Sequence, residues 1–455
     1  MNKLKHTWPR ILLLPVILLS LLSSGCQPTL EPEGPLNVKI ALDSEITFNR
    51  LYMDYFDAAF PDWDITIVPM NELKLYEMKE YEATQAFKAF LDRENPDLLI
   101  IPGYMYKSLA NSGTLLDLGE WMSRDGMDPH SLAPGVVDIL KDNNDGKFYG
   151  LSPSFRTSVL YYNKSMFRSY GIEEPHDRMT WEEVLALANR FMQDGRMEKG
   201  TYGFHEDWTQ TPIDMLEKIG STEGLHYIDL RKAKVTIHSD DWAKIWSIVS
   251  ESFKQGAFST IVPKLKVVDG VTYVTEEAAK QMDLFSQGKA AMTYAQDDLM
   301  FRLYASPPAF EWGLFSGPVS SRDPEKVGWF ATDITFAIPA TSSQPAAMWK
   351  ALHYFHSDRM GKIRASLEQD LFSLKDYPKW KNDPNYEMFY KQRGWPGGDN
   401  FMTSTVPTAF FKPFTELMKV QMNATIAGEK TSDEALRFLQ AEGQALLDQL
   451  LLTEK

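Results

Sequence analysis

"DGKFYGLSPSFRTSVLYYNKSMF", residues 145–167, carries several local signals in close succession. Asp145-Gly146 is a turn pair, because glycine reaches positive φ without steric cost. "SVLYYN" (158–163) is β-branched and aromatic, and predicts a short strand. The continuation, "YGIEEPHDRMTWEEVLALANRF" (170–191), supplies a helix start, with Thr180 and Glu183 spaced as a capping box ahead of Val184, Leu187 and Phe191. The preceding "KDNNDG" (141–146) invites a calcium reading. With Gly146 in sixth place, however, the first ligand position is Lys141, so a plain turn is expected.

Working outward, the N-terminal side alternates between two periods. Leu36, Val38, Ile40 and Leu42 alternate as in a strand. Phe48, Leu51, Tyr52, Tyr55, Phe56 and Phe60 make a helical stripe over 47–60, and Trp63, Ile65 and Ile67 alternate again. A helix is expected over about 74–91, and "PDLLII" (96–101) reads as a buried strand. This β-α-β-α-β order predicts an open α/β sheet with right-handed crossovers. On the C-terminal side, Ser239 precedes a stripe of Trp242, Ile245, Trp246, Val249 and Phe253, whose spacing places the tryptophans in a core. Pro345 suits the first turn of a helix running to about His356, and Thr431–Glu434 is a second capping box. "KAAMTYA" (289–295) and "ITFAI" (334–338) are further strand candidates.

The first 25 residues differ in kind. Lys3, Lys5 and Arg10 precede an apolar run, Ile11 to Leu22, that is too short to span a bilayer, which takes about 20 residues. Ser23, Ser24, Gly25 and Cys26 follow, and Cys26 is the single cysteine of 455 residues, so no disulfide framework is available. Residues 27–35, "QPTLEPEGP", read as a polar tether. A net charge of −15 disfavours nucleic acid as a partner, and 44% hydrophobic residues exclude general disorder. His353 and His356 stand three apart without H-E-x-x-H or a cysteine partner, so no metal site is expected. Neither a G-x-S-x-G elbow nor a P-loop occurs, and no catalytic residue or cofactor is assigned.

Two resemblances organise these observations. Residues 1–26 resemble the leader and lipobox of bacterial lipoprotein precursors, with Ser23 standing where that pattern usually has Leu. The resemblance implies cleavage before Cys26, lipidation of its sulfur, and an anchor on the extracellular face of the cell membrane. Residues 145–191 resemble the extracellular solute-binding proteins of ABC importers: a DGK-x-YG turn, a strand ending in YYNK, a helix, a Pro-containing loop and a TW-E-E-hydrophobic helix. "PDLLIIPGYMYKSLANSGTLLDL", "FSQGKAAMTY", "GWFATDITFAIPATSSQPAAMWKALHYFHS" and "IAGEKTSDEALRFLQAEGQALL" continue that likeness in order along the chain.

What the resemblance implies is an α/β fold of two lobes joined by hinge strands, with a ligand cleft between them. The expected division is residues 36–155 plus 334–380 for one lobe and 158–328 plus 385–455 for the other. The implied function is capture of a carbohydrate, an oligosaccharide above all, and its delivery to a membrane permease by a monomeric receptor that is not an enzyme. A ligand-sensing receptor coupled to a sensor kinase would share the fold. A secreted glycan-active enzyme is the other rival, since 62 acidic residues always offer some carboxylate pair.

The same resemblance indicates which loops meet the cleft. Sugar pockets combine aromatic plates with carboxylates, amides or arginine. Asp43 and Glu45 follow the first strand, where helix capping is the alternative role. Tyr104 follows "PDLLIIPG", with loop packing as its alternative. Phe155 and Arg156 stand at the first crossing between lobes, where Arg156 either offers its planar fork to a ligand or closes an interlobe ion pair. "YGFHEDWTQ" (202–210) contributes Glu206 and Trp208, and Asp297 and Asp298 follow "AAMTYA" as ligand or capping groups. Trp329 and Asp333 lie on the second crossing, "GWFATD", with hinge packing as the alternative role of Trp329. Phe410 and Phe411 are read as core, and Tyr161 and Tyr162 as strand residues.

Overall fold

A computed structural model describes residues 35–75, 80–143, 145–193, 195–206, 211–259, 265–268, 271–367, 371–376, 382–395 and 406–453. The leader, Cys26 and Trp208 lie outside the described residues. Among those described, no helix is long and apolar enough to cross a membrane.

The first sheet is built around Leu98–Pro102, whose residues Leu98 to Ile101 are at most 2% exposed. A continuous apolar run of this kind belongs to a strand covered on both faces. Leu36–Leu42 pairs parallel to it (Ile40 opposite Leu98) and to Trp63–Pro69 (Leu36 opposite Trp63). Ile334–Ala337 closes the other edge antiparallel, with Ile334 opposite Pro102. This strand returns from the far end of the sequence, so the first lobe is assembled from separate pieces of chain.

The second sheet has the order Trp312–Phe315, Val159–Asn163, Ala290–Ala295, Tyr202–Phe204. The period of two along "VLYYN" sends Val159 and Tyr161 into one hydrophobic core and Leu160 and Tyr162 into another, so both tyrosines are buried on opposite faces. The Tyr161 hydroxyl donates to the Gln296 carbonyl (2.6 Å) and accepts from the Met300 amide (3.1 Å). The second core also holds the helix Trp181–Met192, opened by a complete capping box at Thr180 and Glu183, and the helix Asp240–Lys254, capped by Ser239.

Two of the crossings between the lobes run through short strands. Ser154–Thr157 pairs antiparallel with Phe330–Ala331 on one side and with Leu371–Phe372 on the other. These two crossings thus sit side by side in one small sheet, a hinge geometry, and the core of the first lobe continues past them onto one face of the second sheet through Phe155, Val159 and Tyr161.

Two local expectations are refined. The aromatic stripe over 47–60 forms two short helices, Glu45–Leu51 and Met53–Ala59, broken at Tyr52, whose φ of −130° leaves helical space. The stripe itself survives, because Phe48, Tyr52 and Phe56 remain in ring contact across the break. "KDNNDG" is a turn held by its own side chain: Asn143 Oδ1 accepts from the Gly146 amide (2.8 Å), with Gly146 at φ +70°. No group of metal-ligating residues occurs among the described residues.

Candidate functional site

A cavity of about 830 Å³ lies between the two lobes, against the second crossing. Its walls come from three places.

The first lobe supplies the helix Gly103–Asn111, which starts directly at the end of a central strand. Gly103 is required there: a Cβ would lie 2.0 Å from the Thr332 carbonyl oxygen, and the Gly103 amide donates to the Asp333 carbonyl (3.0 Å). This close approach delivers Tyr104, 60% exposed, and Lys107 to the cleft. Lys107 Nζ is held by Asp142 Oδ2 at 2.8 Å.

The crossing supplies Trp329 and Phe330. Phe330 stacks face to face on buried Phe155, with centroids 5.0 Å apart and planes 11° from parallel. Trp329 is held through its backbone, whose carbonyl accepts from the Thr157 hydroxyl (2.9 Å).

The second lobe supplies the helix Pro212–Thr222 and the turn after it, with Glu217 and Tyr227. Trp395 closes this wall. Its indole Nε1–H donates to the Thr222 carbonyl (2.8 Å), and its ring lies over Gly224 at φ +66°, where a Cβ would be 3.2 Å from the ring. Burial raises the pKa of the Glu217 carboxyl, Asp214 nearby adds to the rise, and a hydrogen bond with Tyr227 works against it. Burial likewise pushes the Tyr227 phenol up, so it stays protonated and donates.

The residues singled out from sequence are distributed unevenly. Tyr104 and Trp329 line the cavity together. Phe155 is 1% exposed and lies behind Phe330, supporting it. Arg156 and Asp333 engage each other across the crossing, Nε to Oδ2 at 2.7 Å, so the guanidinium serves the ion pair. Asp43 accepts from the Thr47 hydroxyl (3.0 Å) at the start of the first helix, Ser44 is that helix's cap, and Glu45 is exposed in its first turn. The Glu206 carboxylate is paired with Lys218. Asp297 is buried in the first turn of Asp297–Ala305, and exposed Asp298 lies 3.6 Å from Arg302. None of these belongs to the described lining.

Glu217, Tyr227 and Trp395 were not singled out from sequence, and Phe411, read as core, reaches the lining. Trp242 is core as expected, 2% exposed, and also contributes an edge to the cavity. A tryptophan among glycine and proline in "RGWPGG" (393–398) is the signal that would have pointed to Trp395.

The model of the bacterial extracellular solute-binding protein family matches residues 47–362. The chain belongs to that family, whose members are transport binding proteins and not enzymes. Among solved structures, an extracellular solute-binding protein family 1 member from Alicyclobacillus acidocaldarius aligns over 91% of this chain and 99% of its own, with a TM-score of 0.62 at 14% identity. The sugar-binding protein MalE from Xanthomonas citri aligns over 92% and 99%, with a TM-score of 0.59 at 17% identity. At these identities the likeness concerns the two-lobed fold. An uncharacterised ABC transporter extracellular-binding protein from Pyrococcus horikoshii is 26% identical over 52% of this chain and 49% of its own length. A sn-glycerol-3-phosphate-binding periplasmic protein from Brucella abortus is 26% identical over 27% of this chain and 29% of its own. The chain thus spans about half the length, or less, of these curated relatives.

Proposed function

We propose that this chain is the lipid-anchored receptor of an ABC importer, and that it captures an extracellular oligosaccharide by closing its two lobes over it. The observation that carries this reading is the interlobe cavity, with aromatic rings contributed by both lobes and by the crossing between them. Aromatic planes match the C–H faces of sugars, and the carboxyl, hydroxyl and amine groups between them match hydroxyls. A volume of about 830 Å³ is at the upper end of small-molecule pockets and suits several sugar rings better than one. The Xanthomonas citri relative, a sugar-binding protein, and a Listeria monocytogenes ABC substrate-binding protein in complex with cycloalternan, a fold match with a TM-score of 0.52, point the same way. Tyr104 and Trp329 are assigned to ligand contact, joined by Trp395 and Tyr227. The lobe division at 155–158, 328–334 and 380–385, a monomeric state, and presentation of the closed lobes to permease subunits complete the reading.

A thermal-shift screen of the purified protein against mono- and oligosaccharides, peptides and metal ions tests it. A ligand at 100 times its Kd adds about 2.7 kcal/mol of stability. A shift with one sugar series is expected, and shifts with peptides or metals only would overturn the ligand class. Anchoring is tested separately. Replacement of Cys26 by Ala should move the protein from the membrane fraction to the medium, and retention in the membrane would refute lipidation at that residue.

A further inference from the structure

The charges facing the cleft are few and unbalanced. Lys107 is the sole lysine or arginine of the described lining, and Asp142 holds it at 2.8 Å. Arg156, the nearest arginine along the hinge strands, is taken by Asp333. Lys218, next in sequence to Glu217, is turned to Glu206 and lies over the Tyr294 ring at 5.3 Å. Glu217 therefore faces the cavity with Tyr227 as its hydrogen-bond partner and with no lysine or arginine beside it, while Asp214 adds negative charge from the same helix.

Resting on the carbohydrate reading above, we infer that Glu217 is a charge filter, selecting amine-bearing sugars over sugars that carry a carboxylate or phosphate. An anionic solute enclosed here would bring a charge out of water toward a carboxyl and find the one lysine of the described lining already paired, with exposed His226 the other lining group that can carry positive charge. An ammonium on a sugar ring would add a cationic partner to the Tyr227 hydrogen bond of Glu217 and stabilise its ionised form. Neutral sugars fall between, since the protonated or ionised carboxyl can each hydrogen-bond a hydroxyl. This reading parts company with the Brucella abortus relative named for sn-glycerol-3-phosphate, whose ligand is an anion.

The test is calorimetric titration of the purified full chain with matched mono- to trisaccharides carrying no charge, one amine or one carboxylate. The readout is the ratio of amine to carboxylate affinity at pH 7. The ratio should exceed roughly tenfold, the scale of one charge-assisted hydrogen bond, and collapse toward one in Glu217→Gln. Asp142→Asn, which frees Lys107, should move the ratio the same way by improving the carboxylate arm. Melting of each variant confirms that it folds. A wild-type ratio near or below one, with neutral sugars binding, overturns the filter and leaves the carbohydrate reading standing. A high ratio that survives Glu217→Gln removes Glu217 from the role. No binding by any sugar overturns the carbohydrate reading and the filter with it.

Discussion

The two walls of the cleft are built differently. On the first lobe, Tyr104 stands 60% exposed on a helix end, and the charges of Lys107 and Asp142 cancel each other. On the second lobe, Trp395 is pinned by its indole to the Thr222 carbonyl, and Glu217 and Tyr227 form a half-buried pair without a compensating lysine or arginine in the described lining. The first wall presents an exposed ring beside a neutralised ion pair, whereas the second presents a hydrogen-bonded ring beside an uncompensated carboxyl. A binding protein that closes like a hinge can divide its work this way, with one lobe fixing the ligand's orientation and the other covering it.

The contrast depends on both walls being held in register, and Asp138 is the group that does so. It lies on the helix Pro134–Lys141 of the first lobe, next to Ile139 in the cavity lining. Its two carboxylate oxygens receive Arg393 Nε and Nη2, each at 2.6 Å, and Lys326 Nζ is 3.6 Å away. Arg393 stands two residues before Trp395, and Lys326 two before Gly328 on the crossing. Replacing Asp138 with Ala takes the carboxylate away from Arg393 and leaves the 14%-exposed Lys326 with the Gly394 carbonyl (3.1 Å) as its acceptor. Asp138 is 22% and Arg393 37% exposed, so removing one partner of this partly exposed pair should lower stability by about 2 kcal/mol, read by urea unfolding, and should weaken sugar binding as well. A loss under about 1 kcal/mol, in the range of exposed pairs, would mean that the walls are aligned by packing alone.

What the sequence disclosed of these walls follows contact distance along the chain. The strand Leu98–Pro102, the "VLYYN" strand and the capped helices are local patterns, and all are present. Tyr104 was legible as a cleft candidate through the family resemblance, which places a ligand-contacting residue after this buried strand, and it does line the cavity. Trp395 was not, because its meaning depends on Thr222, 173 residues away, and the Arg393–Asp138 pair spans 255. Arg156 shows the same limit from the other side. Its type and place allowed both a ligand and an ion pair, and only the folded chain brings Asp333, 177 residues on, to 2.7 Å. The break at Tyr52 was hidden for a different reason: the aromatic stripe keeps its helical period straight through it.

The sharpest comparison between the walls is between their two aromatic residues. Trp395→Ala should cost about 2 kcal/mol of affinity for the sugar found in the screen, roughly a thirtyfold rise in Kd, as central aromatic anchors do. Tyr104→Ala should cost about 1 kcal/mol or less, because its exposed side chain must be immobilised on binding, an entropic cost of about 0.5–1.5 kcal/mol that offsets its contact. Trp395 is spared that cost, being already fixed by Thr222 and seated on Gly224. Trp395→Phe separates the two contributions: it keeps an aromatic plane but loses the indole donor, so its affinity should fall between wild type and Trp395→Ala. Equal losses for Trp395→Ala and Tyr104→Ala would mean that rigidity confers no advantage here. A larger loss at Tyr104 would make the first lobe the wall that grips and the second the one that covers.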